Sequence, residues 1–272
     1  VEKARAVRPG AQAPFAPPAI DEVVATIARE RPEIVFAPHV ETSSGILLPD
    51  DYLRALAGAV HAAGGLFVLD CIASGALWVD MRALGVDVLV SAPQKGWSGP
   101  ACCAFVALGE QARERIDSTR STSFSCDLRK WLQIMETYEN GGHAYPATLP
   151  TDALVRVRDA MHETQRFGFE AARRAQSRLG EEVRAMLARK GYPSVAAPGF
   201  EAPGVVVSYT DDEGIHSGRK LLEAGLQIAA GVPLAVDEPA DFRTFRIGLF
   251  GLDKLANVDR TVSTLAQAFE RL

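Results

Sequence analysis

Cysteine is scarce in this sequence: Cys71, Cys102, Cys103 and Cys126 are all there is. Their spacing gives no paired CxxC frame, so a zinc-ribbon type of metal site is excluded and no metal is expected. All four lie in or beside apolar stretches, which predicts buried, reduced thiols in a cytoplasmic protein. Long apolar runs are missing as well. The most apolar region, residues 64–79, is cut by Asp70 and falls short of the roughly 18 residues a membrane span needs. The Pro- and Ala-rich first 18 residues contain no apolar core of the signal-peptide kind. Dense Lys/Arg runs are also absent, and a net charge of −5 points away from a nucleic-acid surface.

What the chain does have is an ordinary globular composition over 272 residues, 47% hydrophobic and 23% charged. That suffices for one large core or two smaller ones. Apolar positions at helical spacing predict helices over 20–31, 49–63, 80–85 and 110–116. Between them "EIVFAPH" (33–39), "LFVLD" (66–70), "VDVLVSA" (86–92) and "CCAFVAL" (102–108) read as strands. Continuous apolar strands separated by helical crossovers indicate an α/β fold, with a mostly parallel sheet and helices on both faces. From Thr151 to Lys190 the pattern is helical with a break near Gly168. Strands at 204–210 and 245–251 and helices at 214–225 and 254–272 then suggest a smaller C-terminal α+β domain.

In a parallel sheet the ligand crevice lies at the carboxyl ends of the strands. Asp70 ends one predicted strand, and "SAPQKG" (91–96) follows another, so Asp70 and Lys95 point to one rim. A lysine amine can form a Schiff base with a carbonyl. By itself a loop lysine is more often a surface charge. A carboxylate ending an apolar strand is costly to bury unpaired, so it needs a cap, an arginine or a ligand cation. Pyridoxal phosphate chemistry uses such a pair, an amine for the aldehyde and an acid for the ring nitrogen.

Four stretches occur in order: "HVETSSGILLP" (39–49), "VLDCIASGALWVDMRALGVDVLVSAPQKG" (68–96), "YPATLP" (145–150) and "FRIGLFG" (245–251). Together they resemble the class V pyridoxal-phosphate-dependent aminotransferases of fold type I, near the alanine/serine–glyoxylate branch. The resemblance implies that residues 1–165 belong to the cofactor-binding large domain and 166–272 form the small domain. It implies that Lys95 forms the Schiff base and shuttles the proton, and that Asp70 pairs with the pyridine nitrogen. Ile72 would pack on the ring, Thr42 reach its phenolic oxygen or the substrate, and Gln94 bind the phosphate. Tyr145 and Thr148 would reach the phosphate of a neighbouring subunit, which implies a homodimer. Arg246 would clamp the substrate carboxylate, where a planar two-pronged donor suits best. The implied reaction is transfer of an amino group from a small amino acid of the alanine or serine type to a 2-oxo acid such as glyoxylate or pyruvate.

Each residue also has a plainer reading. Arg246 could face solvent by strand alternation, Gln94 could be a turn residue, and Tyr145 and Thr148 ordinary loop residues. Thr42-Ser43-Ser44 could be a capping cluster, and His39 is expected to be packed and hydrogen-bonded rather than catalytic. The first 19 residues offer no glycine-rich turn to cradle a phosphate, which leads us to expect weak cofactor binding by these 272 residues alone. Two rival readings follow: a lyase of the same fold such as a cysteine desulfurase, with Cys126 as nucleophile, and a truncated, non-catalytic relative.

Overall fold

The structure, a computed structural model, describes residues 1–272. Its first element is a two-stranded hairpin, β1 (Arg5–Ala6) against β2 (Phe15–Ala16), where the sequence suggests irregular chain. Helix α1 (Ile20–Glu30) buries Val23 and Ile27, one turn apart, and carries Asp21 and Glu22 at its positive end. Strand β3 (Ile34–Pro38) is followed by the hairpin β4 (Val40–Glu41) and β5 (Ile46–Leu47). Helix α2 (Asp50–Ala62) buries Leu53, Leu56, Ala57 and Val60. That i, i+3, i+4, i+7 set is one continuous face.

Strand β6 (Leu66–Asp70) is buried over its first four residues and exposed only at Asp70. The short helix α3 (Met81–Leu84) starts at Asp80, whose carboxylate accepts from the Ala83 N–H, and ends at Gly85 with φ of 70°. Strands β7 (Val88–Ser91) and β8 (Phe105–Leu108) complete a sheet of order β3-β6-β7-β8. The first three strands are parallel and β8 returns antiparallel to β7. Helices α1, α2 and α3 cover one face of this sheet in a core built around Leu53, Val60, Phe67 and Leu69.

One strand expectation is corrected here. The run at 33–39 reads as a buried strand, yet β3 lies at the sheet edge. Its side chains alternate between faces, so Ala37 packs inward while Ile34 and Phe36 are 49% and 75% exposed.

The second half is helical first: α4 (Glu110–Asp117), α5 (Leu128–Glu139), α6 (Thr151–Phe167) and α7 (Phe169–Arg189). Gly168, at φ of 95°, makes the break between α6 and α7 that the sequence anticipates. After β9 (Val205–Tyr209), the helix expected over 214–225 splits into α8 (Glu213–His216) and α9 (Arg219–Glu223). Gly218, at φ of 78°, interrupts it. Strands β10 (Ala229–Ala230) and β11 (Thr244–Gly248) join β9 in an antiparallel sheet of order β10-β11-β9. Helices α10 (Leu252–Leu255) and α11 (Val258–Phe269) close the chain, the latter capped by Asn257.

Helices α7 and α11 pack on this second sheet around Leu179, Leu187, Phe245 and Phe269. A third cluster joins distant segments: Phe15, Val40, Ile46 and Ala73 pack with Val195, Val205 and Val207. Through it the N-terminal hairpin and the turn after β6 are seated against the C-terminal sheet.

Gly180 fixes where α7 sits. A Cβ there would lie 2.5 Å from Pro203 Cα and 2.7 Å from its carbonyl oxygen. Alanine would gain about 1 kcal/mol in helix propensity, but relieving a backbone clash in a packed site costs about 1–3 kcal/mol. We therefore expect Gly180→Ala to lower the urea unfolding midpoint. A midpoint at or above that of the parent chain would mean that α7 and the Pro203 segment are not in contact.

Candidate functional site

The apolar sequence of β6 and β7 places two polar groups on one rim. The strands pair in parallel with Asp70 opposite Val90, and the polar loop carrying Gln94 and Lys95 leaves β7 immediately beyond. Asp70 is exposed and ion-paired to nothing; Oδ1 accepts from the Ile72 N–H at 2.9 Å, and Oδ2 has no partner. The expectation of a carboxylate threatened by burial is thus corrected. The strand ends at the surface, so the carboxylate reaches solvent and needs no buried partner.

The lysine loop is held by glycine contacts rather than by side-chain bonds. A Cβ on Gly96 would sit 2.3 Å from the Gly75 carbonyl oxygen, so only glycine lets the loop close onto the turn that follows Asp70. Gly99 lies against Val157 of α6, and Gly251 against the Ser98 hydroxyl. Two backbone bonds, Gly99 N–H to Pro93 carbonyl at 2.8 Å and Ser98 N–H to Lys95 carbonyl at 3.0 Å, fix the turn. Trp97 joins Trp78 and Phe169 in an aromatic cluster, with ring centroids 5.0–6.3 Å apart.

Lys95 is half-buried, and its Nζ makes no hydrogen bond or ion pair. It lies 5.6 Å from the centroid of the Phe250 ring, near enough for a cation–π contact. A Cβ on Gly75, Gly204 or Gly248 would come within 3.1–3.5 Å of that ring. Three glycines from three segments therefore leave the space it fills. Phe250 was not singled out from the sequence, because only the tertiary fold brings residue 250 beneath residue 95.

His39, at the end of β3, is buried. Its N–H donates to the Asp70 carbonyl at 2.8 Å, and Nδ1 pairs with Ser74 Oγ at 2.7 Å. It ties three pieces of the rim together, in keeping with the packed histidine expected. Burial holds its imidazole down at about 4, so it is neutral around pH 7. Burial also pushes the Cys71 thiol up to about 12. Cysteine burial is otherwise corrected: Cys102 and Cys103 are half-buried and Cys126 is exposed, since they lie in connecting segments outside the cores.

The remaining candidates are distributed as follows. Ile72 is half-buried in the turn after β6, and Gln94 is exposed with a free side-chain amide. Thr42 is half-buried in the β4–β5 turn, which the Glu41 carboxylate organises by accepting from the Ser43 and Ser44 N–H groups at 2.8 Å. Arg246 stands on β11 and donates through Nε to the Ala230 carbonyl at 2.8 Å, leaving both terminal nitrogens unpaired. Tyr145 and Thr148 are exposed in the α5–α6 connection. Tyr145 packs edge-on against His143, and neither bonds to Lys95, Asp70 or Gln94. Cys126 lies in the loop before α5, bonded only within its own Ser-rich turn.

A model of the family Aminotransferase class-V matches residues 14–249. The 2-aminoethylphosphonate–pyruvate transaminase of Burkholderia ambifaria (strain MC40-6) is 30% identical over 258 residues, covering 92% of this chain and 65% of that protein. The alanine–glyoxylate aminotransferase of Felis catus is 24% identical over 264 residues, covering 93% of this chain and 61% of that protein. The crystal structure of an alanine–glyoxylate aminotransferase from Nostoc sp. superposes with a TM-score of 0.78 at 22% identity, over 92% of this chain and 65% of that one. The chain thus spans less than two thirds of the length of each of these.

The His39 shift carries a pH dependence of stability. The unfolded chain takes up this proton near the ordinary histidine value of 6.5, the folded chain only near 4. Its contribution is complete above about pH 6.5 and is lost as pH falls towards 4. Between pH 7 and pH 5 this amounts to about 2 kcal/mol. Urea unfolding at both pH values should show a drop in the parent chain that shrinks by about that much in His39→Asn. Equal drops in the two proteins would contradict the buried neutral imidazole.

Proposed function

The chain belongs to the class V aminotransferase family, and on that premise we propose that it transfers an amino group from a small amino acid to a 2-oxo acid such as glyoxylate or pyruvate. Pyridoxal phosphate is the cofactor of this family. The donor set on the rim suits that group: an unpaired amine on Lys95 for the aldehyde, and a free carboxylate oxygen on Asp70 for the ring nitrogen. Ile72 offers an apolar wall, Thr42 a hydroxyl for the ring or substrate, and Gln94 an unpaired amide for the phosphate. Tyr145 and Thr148 hydrogen-bond to none of these residues within the chain, and we assign them to the phosphate of a partner subunit in a homodimer. In the same reading the large domain ends at residue 165 and the small domain begins at 166.

When bound, the cofactor supplies an electron sink that acidifies the substrate Cα–H. The chain supplies the rest. Asp70 would face the ring nitrogen and favour its protonated form, as a nearby carboxylate does. Lys95 would hold the cofactor by its amine, and its Nζ would take the substrate Cα proton as a general base and return it as a general acid. Arg246 presents its two terminal nitrogens as a fork for the substrate carboxylate, with Nε anchored on Ala230. His39 stays neutral and keeps the strand ends in register.

The observation that carries the reading is the placement of two unpaired, opposite charges at the carboxyl ends of adjacent parallel strands. The lyase alternative needs a cysteine over the cofactor, and Cys126 bonds only within its own turn, with no hydrogen bond to the lysine loop. No helix is long and apolar enough to cross a membrane.

Transamination of alanine with glyoxylate, assayed with cofactor in excess, tests the assignment. We expect Lys95→Ala to lower kcat by at least about 10²–10⁴-fold, the span of a lost general acid–base group. Arg246→Ala should raise KM for carboxylate substrates by about 10–100-fold, the equivalent of a lost charged hydrogen bond. Near-normal turnover by Lys95→Ala would overturn the role given to Lys95.

A further inference from the structure

Cys102 and Cys103 lie between the lysine loop and β8, and the proposed reaction uses neither. Neighbouring residues in an extended strand project to opposite faces. Here the segment before Phe105 is not in strand conformation, and the two sulfur atoms meet 3.9 Å apart. Both residues are half-buried, and the flanking Ala101 and Ala104 are exposed, so a small reagent can reach the pair. The other two thiols are placed differently. Cys71 is sealed in the first core, and Cys126 stands alone on the surface.

We propose that Cys102 and Cys103 form a vicinal dithiol that a hydroperoxide closes into a reversible disulfide between adjacent residues. The inference rests on this geometry and not on the aminotransferase reading. The two thiols are equivalent in the balance of the reaction, and either can attack first, here Cys102. Its sulfur bonds to the terminal peroxide oxygen, the O–O bond breaks, and Cys102 becomes a sulfenic acid as water or an alcohol leaves. Cys103 sulfur then attacks the sulfenic sulfur, the S–O bond breaks, and water leaves with the remaining proton. Two thiols are oxidised by two electrons, and one peroxide is reduced by two.

The product is strained by construction. Adjacent Cα atoms are held about 3.8 Å apart across a trans peptide, whereas ordinary disulfides span about 4.4–6.8 Å. Strained disulfides have more oxidising potentials and yield readily to thiols. The bond is therefore one that forms under peroxide and reopens under a reducing thiol pool. It would stiffen the link between Gly99, packed on Val157, and β8, which pairs with the strand that carries the lysine loop.

Trypsin isolates the pair, because cleavage after Lys95 and Arg113 releases residues 96–113 with Cys102 and Cys103 and no other cysteine. The whole chain is treated with hydrogen peroxide, alkylated and digested. We expect this peptide to lose the mass of two hydrogens, to resist alkylation, and to recover both alkylation sites after dithiothreitol. In Cys103→Ser we expect Cys102 to stop at the sulfenic acid and take a dimedone adduct. The proposal is overturned if the peptide is alkylated at both sulfurs while Cys126 oxidises, or if it is found bridged to another cysteine peptide.

Discussion

The rim depends on one close approach, the seating of Gly96 against the carbonyl of Gly75. A side chain at 96 would meet that oxygen at 2.3 Å, so the lysine loop can lie on the turn after β6 only because residue 96 has none. The approach links the two strand ends that matter. It brings the segment running from Asp70 to Gly75 against the segment running from Gln94 to Gly99. Parallel pairing of β6 and β7 sets the coarse position of both, and the glycine contact sets the fine one.

Packing beyond the rim supports this arrangement from several directions. The His39–Ser74 bond and the Asp70 carbonyl fasten the end of β3 to the same turn. Ala73 enters a cluster with Val205 and Val207, which seats that turn on the C-terminal sheet. Phe250 arrives from that sheet beneath the Lys95 amine, in a space left by three glycines. The two halves of the chain therefore meet at the lysine, and β11, which carries Arg246, leads directly into the residue under it.

Elements whose information is local were legible in the sequence. The apolar run of β6 ends at Asp70 as read, and Gly168 breaks the long helical stretch where expected, since strand runs and left-handed glycines leave local marks. The resemblance carried by four ordered stretches led to the family. What the sequence hid is non-local. The pairing of Phe15 with Ala196, the exposure of Phe36 at a sheet edge and the meeting of Lys95 with Phe250 depend on which segments become neighbours. Asp70 was expected to resist burial, and the fold removes that conflict by ending the strand at the surface. The Cys102–Cys103 approach was hidden too, because an apolar "CCAF" reads as strand, whereas the strand begins only at Phe105.

The central claim is that Lys95, alone among the six lysines of the chain, is the amine that holds the cofactor. Reduction of the chain with borohydride in the presence of pyridoxal phosphate, followed by peptide mass mapping, tests it directly. As the cofactor concentration is raised, the account predicts a pyridoxyl group on Lys95 before any appears on Lys3, Lys130, Lys190, Lys220 or Lys254. Label spread evenly over the six, or concentrated on another lysine while Lys95 stays free, would contradict it.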